Sequence, residues 1–162
     1  MKLQLTSKDI VAIDPAATRF AFAVFDKGVL THCAYGKRPH EVLEVLQDTV
    51  EYLWVLESPQ DYDRFAVAHG DLDRLRAVLQ RLSVAAKSRG DRILRVTPHV
   101  WKGGVPKRIH HKRVWQVLLK TERDRLPDDP HHETYSAHDI HDAVALGVTC
   151  LQRVRRGGRH GR

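Results

Sequence analysis

The chain has 162 residues, with 27 lysines and arginines against 20 aspartates and glutamates, and so carries a net charge of +7. This length suits one compact domain, and an apolar share of 42% is typical of a folded protein rather than a disordered one. No stretch reaches the ~18 consecutive apolar residues of a membrane span, and the N-terminus lacks the layout of a secretory signal. The two cysteines match no zinc or redox spacing. Together these observations favour a cytoplasmic protein.

The predicted elements alternate in a way that defines the fold class. In chain order we predict strands at 10–13, 20–25 and 29–35, a helix from Pro39, a strand at 53–56, a helix at 64–88, a strand at 93–96, and helices at 107–122 and 137–155. This order fits neither a pure βαβ alternation nor an all-β chain. We therefore predict an α/β fold with a mixed five-stranded sheet flanked by helices, formed by residues 1–152, and a basic, flexible tail at 153–162.

Charge is segregated along the chain. Residues 98–125 contain eight basic and two acidic residues, residues 126–152 contain five acidic residues and no lysine or arginine, and the tail carries five arginines. Solubility alone gives little reason for such blocks, so the pattern indicates a polyanionic partner such as a nucleic acid.

Two carboxylates stand directly after predicted buried strands. Asp14 follows the run 10–13 and Glu57 follows the run 53–56, and each is closed by a nearby proline. A side chain at a strand end is held rigidly, although each acid alone is equally well explained as a turn residue. Two acids at equivalent strand ends favour a functional site.

A second pair of carboxylates lies in the last predicted helix. Asp139 and Asp142 are three residues apart and share a helix face, and the small residues Ala143, Ala145 and Gly147 allow that helix to approach a sheet closely. The alternative is a helix start, with Ser136 as cap and acids complementing the dipole, which explains Asp139 better than Asp142. Four converging carboxylates need hard cations, which predicts Mg²⁺ or Mn²⁺.

The basic segment after the fifth strand contains glycines beside lysines, an arrangement that lets ammonium and backbone N–H groups meet phosphates. We predict this role for Lys102 and Lys112, while solvated helix charge explains Arg108, Arg113 and Lys120 individually. The pairs His110-His111 and His131-His132 invite a zinc site, but adjacent histidines point apart on a helix and no cysteine lies at ligand spacing.

The ordered set of Ile13-Asp14-Pro15, the strand-end Glu57, and Asp139 with Asp142-Ala143 resembles the RuvC Holliday junction resolvases, in their divergent phage-type form. These belong to the RNase H-like, or retroviral integrase, superfamily. The resemblance spans roughly residues 9–152 and implies a cytoplasmic enzyme of a bacterium or a phage-infected cell.

The resemblance implies a crossover junction endodeoxyribonuclease that cuts four-way or branched DNA as a homodimer. Asp14, Glu57, Asp139 and Asp142 would hold two Mg²⁺ ions per active site, for which Mn²⁺ could substitute, and Lys112 would act in catalysis. The predicted nucleic-acid contacts are Lys102, Lys107, Arg108, Lys112, Arg113, Tyr62, Arg155 and Arg156. His141 is expected to support the acidic pair or to face a phosphate.

The chain departs from the family pattern at two places. Glycines that follow the first Asp-Pro in bacterial members are replaced by Ala16-Ala17, and Gln60 stands where they have a stacking aromatic, a role that Tyr62 or Phe65 could take. Two other functions remain open: an RNase H-like nuclease that acts on flaps or RNA–DNA hybrids, and a non-catalytic module that binds branched DNA. The leucine stripe of the helix at 64–88 is a candidate for the dimer interface or for plain core.

Overall fold

The computed structural model describes residues 7–58 and 69–152. In this part of the chain five strands form one sheet in the order β3-β2-β1-β4-β5. The strands are β1 Ile10–Pro15, β2 Phe20–Asp26, β3 Val29–Gly36, β4 Leu53–Glu57 and β5 Arg92–Val96. The helices are α1 Pro39–Leu43, α2 His69–Ser88, α3 Pro98–Lys102, α4 Lys107–Val117, α5 Lys120–Arg123 and α6 His138–Cys150.

The sheet is mixed, as predicted. β1, β2 and β3 form an antiparallel meander, whereas β4 pairs parallel to β1 and β5 pairs parallel to β4. The central strands read as continuous apolar runs because helices cover both faces of the sheet. β1 and β4 therefore run side by side in the middle of the sheet, with Ile13 opposite Leu56.

Each face of the sheet has its own core. On one face α6 packs across β1 and β2, and its core includes Ile10, Ala12, Leu53 and Val55. On the other face α1 and α2 cover the intervening side chains of the same strands, among them Trp54. Alternate residues of β1 and β4 thus point to α6, which decides where their last residues are aimed.

The predicted helix at 107–122 is in fact two helices. Leu118 adopts an extended backbone between α4 and α5, and the fully buried Glu122 explains the break. Its carboxylate accepts hydrogen bonds from the backbone N–H of Leu30 at 2.8 Å and of Leu119 at 2.7 Å, which ties α5 to β3. The short helix α3 is a second difference, because it lies in a segment for which no helix or strand was predicted.

The predicted helix at 64–88 is present as α2, while its positions 64–68 lie outside the described residues. Leu79 and Leu82 of its leucine stripe are buried against the sheet, so this part of the stripe is core. Leu72 and Leu75 are only half-buried. No helix in the described ranges is long and apolar enough to cross a membrane.

Candidate active site

Asp14 and Glu57 lie side by side at the carboxyl ends of the two central parallel strands. Ile13 and Leu56 are register partners, so the next residue on each strand is one of the two acids. Asp14 continues the alternation of Ile10 and Ala12, and Glu57 that of Leu53 and Val55, all of which face α6. The sheet therefore delivers both carboxylates to the same face.

Asp139 and Asp142 reach this region on the first turns of α6. The helix is buried almost throughout, and Gly147 lets it come close to Phe25 of β2. The alternative interpretation, with Ser136 as the cap, is not supported, because the N-cap is Ala137 without a side-chain hydrogen bond. The backbone N–H groups of Ser136 and Ala137 donate instead to Asp128 Oδ2, at 2.7 and 3.1 Å.

The four carboxylates influence one another electrostatically. Burial raises the pKa of Asp14 to about 8, and the neighbouring charges of Glu57, Asp142 and Asp139 contribute to the rise. Burial also raises the pKa of Glu57, against the opposing effects of a hydrogen bond from Trp101 and the charge of Lys102. Such mutual repulsion is typical of a site that is completed by a cation.

Asp142 is surrounded by basic groups. Lys107 Nζ is ion-paired with Oδ2, His111 Nε2 lies 2.7 Å from Oδ1, and Lys102 Nζ lies 3.9 Å from Oδ1. Burial alone would raise the pKa of Asp142, but the hydrogen bonds from His111 and Lys107 outweigh it and lower the pKa. Asp142 is thus held as a carboxylate, whereas burial favours the neutral form of Asp14.

His111 is fully buried and connects Asp142 to Tyr135. Its Nε2 faces the carboxylate and its Nδ1 faces the Tyr135 hydroxyl, so a neutral ring that donates from Nε2 satisfies both contacts. His141 lies beside it and is also buried, with Nε2 2.8 Å from Asp128 Oδ1. His141 is therefore buried beside the acidic pair, with its Nε2 directed to the Asp128 loop.

Asp139 has a basic neighbour that the sequence did not single out. Arg19, in the turn between β1 and β2, lies 3.7 Å from Asp139 Oδ2, and its guanidinium sits 3.9 Å from the centroid of the Tyr35 ring. Both ends of this ion pair are partly exposed, with 48% of the Arg19 side chain and 39% of Asp139 accessible. The pair marks the open side of the site.

Of the basic residues predicted to contact DNA, some lie at the carboxylates and others lie away from them. Lys102 and Lys107 are at the carboxylates, and Arg108 donates to the carbonyl of His132 at 3.1 Å. Lys107 and His111 are four residues apart on α4 and share the face toward Asp142, so Lys112 points about 100° away from it. Arg113 is exposed on the same helix, whereas Tyr62, Phe65, Arg155 and Arg156 lie outside the described residues.

The donor set suits a hard divalent cation, because it consists of carboxylate oxygens whose repulsion such a cation relieves. In the arrangement described for 7–58 and 69–152, however, no three acidic, histidine or cysteine side chains are close enough together to hold a metal ion. The oxygens of Asp142 are occupied by Lys107 and His111. Metal binding at this set therefore requires the carboxylates to come closer together and Lys107 to release Oδ2 of Asp142.

Comparison with solved structures supports the fold. A Thermus thermophilus RuvC in complex with Holliday junction substrate is 19% identical, with a TM-score of 0.61, and the match covers 89% of this chain and 94% of that one. A second T. thermophilus RuvC structure is 20% identical, with a TM-score of 0.60, covering 86% of this chain and 91% of that one. No family model and no curated protein sequence matches. The chain has the RNase H-like fold of RuvC, as its sequence predicted.

Proposed function

We propose that this chain is a divalent-metal-dependent endonuclease of the RuvC type that resolves four-way DNA junctions. The observation that carries the proposal is the meeting of Asp14 and Glu57, on neighbouring parallel strands, with the two aspartates of α6, whose charges act on Asp14. The similar T. thermophilus structure holds a Holliday junction, which favours branched DNA as the substrate class.

In this proposal Asp14, Glu57, Asp139 and Asp142 hold two Mg²⁺ ions, which Mn²⁺ can replace. Bound there, the ions would supply Lewis-acid stabilisation of the charge that develops on the scissile phosphate. The protein's own part is to orient the carboxylates: His111 fixes one oxygen of Asp142, and the strand ends fix the backbones of Asp14 and Glu57.

Lys102 and Lys107 are the groups best placed to meet the phosphate. Their ammonium groups already lie at the acidic site, on either side of the Gly103-Gly104 turn. The role that the sequence assigned to Lys112 is therefore better matched by Lys107, which is only half-buried. Arg108, Lys112 and Arg113, with Arg155 and Arg156 of the tail, would contact the DNA arms.

Resolution of a four-way junction requires two symmetric cuts, so the proposal includes a C2 homodimer with one site per protomer. The half-buried Leu72 and Leu75 and the exposed Val84 of α2 are the larger apolar residues of that helix left available for an interface. Light scattering coupled to gel filtration would measure the mass of the particle directly.

The decisive experiment compares the unaltered protein with Asp14→Asn on a synthetic mobile four-way junction. With Mg²⁺, the unaltered protein should cut two opposing strands, and Asp14→Asn should cut neither. In EDTA both should bind the junction, the variant at least as tightly, because DNA affinity comes mainly from lysine and arginine. Glu57→Gln, Asp139→Asn and Asp142→Asn should give the same separation of binding from cutting.

Cleavage assays on a four-way junction, a flap and an RNA–DNA hybrid distinguish the proposed function from the two alternatives, another nuclease specificity and a non-catalytic DNA-binding module. Efficient cutting of a flap or an RNA–DNA hybrid, with the junction left intact, would replace junction resolution with another nuclease specificity. Junction binding without cutting of any substrate in Mg²⁺ or Mn²⁺ would identify a non-catalytic DNA-binding module. If only one of the four carboxylate variants lost cutting, the two-metal arrangement would be wrong.

A further inference from the structure

Trp101 makes a direct contact with the candidate site for which the sequence carries no local signal. Its indole Nε1–H donates to Glu57 Oε2 at 2.7 Å, although the two residues are 44 positions apart. The Trp101 side chain belongs to a buried residue, only 5% exposed, so this N–H has little access to water as an alternative acceptor. Its hydrogen-bonding capacity is therefore directed to one oxygen of Glu57.

The local fold holds Trp101 in this position. Val96, the last residue of β5, is the register partner of Glu57, and its carbonyl accepts the N–H of Ser58 at 2.7 Å. Helix α3 begins two residues later with Pro98, whose fixed φ suits the first turn of a helix. Trp101 is thus attached rigidly to the strand next to β4.

Two neighbours enclose the indole ring. The His110 ring packs against it with centroids 5.4 Å apart, and the Lys102 ammonium lies 5.3 Å from the ring centroid. Burial lowers the pKa of His110 to about 4, and the nearby His111 adds to this, so His110 is neutral near pH 7. The indole ring therefore contacts a neutral histidine ring and a lysine ammonium group at the edge of the site.

We infer that Trp101 is a positioning residue for Glu57: its N–H fixes one carboxylate oxygen and leaves the other free to bind a divalent cation. This inference rests on the proposed metal-dependent function. A carboxylate that is free to rotate must lose that freedom on binding metal, whereas one held by a rigid donor has already lost it. Removal of the donor should therefore weaken metal binding without removing any ligand.

The chain contains a matched control for this hydrogen bond. Trp54 Nε1 donates to Asp91 Oδ2 at 2.9 Å in the opposite core, so Trp54→Phe deletes the same kind of bond away from the site. Trp101→Phe deletes the donor at the site but keeps an aromatic ring in the core. Trp101→His, which can still present a ring N–H, serves as the conservative variant.

The experiment is calorimetric titration of metal-free protein with Mn²⁺. We expect Trp101→Phe to bind Mn²⁺ about 10- to 100-fold more weakly, the range typical of lost supporting contacts around metal ligands. Trp101→His should recover part of the loss, and Trp54→Phe should match the unaltered protein even where its melting temperature falls. Asp14→Asn, which removes a proposed ligand, provides the reference for a damaged site.

The unaltered protein gives an independent readout that does not depend on any variant's folding. The chain has three tryptophans, so its ¹H–¹⁵N spectrum has three indole N–H signals. Saturating Mg²⁺ should shift the Trp101 signal and leave the Trp54 signal in place. Through-space contacts between each indole N–H and its neighbouring side chains assign the signals in the unaltered protein.

The possible results of the titration distinguish a failure of the role of Trp101 from a failure of the proposed metal-dependent function. Equal Mn²⁺ affinity of Trp101→Phe and the unaltered protein, alongside a weak Asp14→Asn, would overturn the role of Trp101 and leave the metal site intact. If Trp54→Phe lost as much Mn²⁺ affinity as Trp101→Phe, general destabilisation would explain the loss, and the role of Trp101 would again be overturned. Absence of Mn²⁺ binding by the unaltered protein would overturn the proposed function and the inference together.

Discussion

At the scale of single residues, Asp14 differs most from an ordinary carboxyl group. Its pKa of about 8 in the folded chain is far above the usual value of 3.8, through burial and three nearby carboxylates. The folded state therefore holds a proton that the unfolded state has released between these two values. The stability that this proton contributes is complete below about pH 4 and is lost as the pH rises through 8.

We predict that the metal-free protein becomes less stable between pH 5 and pH 9, by at most about 1.4 kcal/mol per pH unit from this group. Urea unfolding in EDTA across this range measures the effect. Asp14→Asn should have the flatter profile and should be the more stable protein at pH 9. A steeper profile in the variant would show that Asp14 is not the group that titrates.

A second residue-scale prediction concerns the two lysines of α4. Lys107→Met should slow cutting at saturating protein on the order of 100-fold, because a cation next to the reacting phosphate offsets charge in the transition state. Lys112→Met removes the same charge from the same helix on a different face and should cut at nearly the normal rate. Single-turnover rates on fully bound junction test both, and a reversed order would restore the original assignment to Lys112.

The placement of the four carboxylates could be predicted from the sequence because each is marked locally, by a strand end or by helical spacing, while their role as metal ligands stays a prediction. Lys107 was recognised only as a DNA contact, since nothing local distinguishes it from Lys112. Trp101, Arg19 and Tyr135 were missed because their partners are far away in the chain: Trp101 and Glu57 meet only when β5 pairs with β4. Hydrogen bonds of this kind have no signature in a single sequence.

At the scale of elements, the contact between α6 and β2 sets the position of two candidate ligands. A Cβ atom on Gly147 would lie 2.8 Å from Cζ and 2.9 Å from Cδ2 of Phe25, and closer still to Cε2. Phe25 is fully buried and cannot swing away freely. An added methyl group must therefore push α6 outward and carry Asp139 and Asp142 with it.

Gly147→Ala is accordingly expected to lower the free energy of unfolding by about 1–3 kcal/mol, the usual cost of overpacking a core, and to slow cutting. Urea denaturation and junction cleavage are the measurements. Gly70→Ala is the control, since no atom of the described residues lies within 4 Å of its added Cβ in α2. That variant should be unchanged or up to ~1 kcal/mol more stable, because alanine favours helix. Equal effects of the two substitutions would contradict the tight contact.

The boundaries of helices and strands could be predicted where the apolar pattern is strong. The predictions were wrong where tertiary contacts determine the point at which an element ends. The strands β1 to β5 agree with the apolar runs to within about two residues. The helix predicted at 107–122 breaks at Leu118 because Glu122 reaches back to the N–H groups of Leu30 and Leu119. The hydrophobic periodicity of a sequence cannot reveal that a carboxylate will accept a hydrogen bond from a strand more than ninety residues earlier.

At the scale of the whole molecule, the separated blocks of charge lead to a prediction about DNA affinity. Deletion of residues 155–162 removes four arginines. Each lost phosphate contact should reduce the slope of log affinity against log salt by about 0.9 on duplex arms. Binding should weaken while cutting at saturating protein stays nearly constant. Slower cutting at saturation would place part of the active site in this segment, and fluorescence anisotropy over a salt series measures the slope.

The four carboxylates are contributed by the first strand, the fourth strand and the last helix of the described fold. When synthesis has reached residue 100, the sheet's central strands have been made but neither aspartate of α6. The emerging polypeptide therefore lacks part of this set of acidic groups until α6 has been synthesised and has docked. Under the proposed nuclease function, a polypeptide that stops before α6 lacks two of the four proposed metal ligands and is expected not to cut DNA.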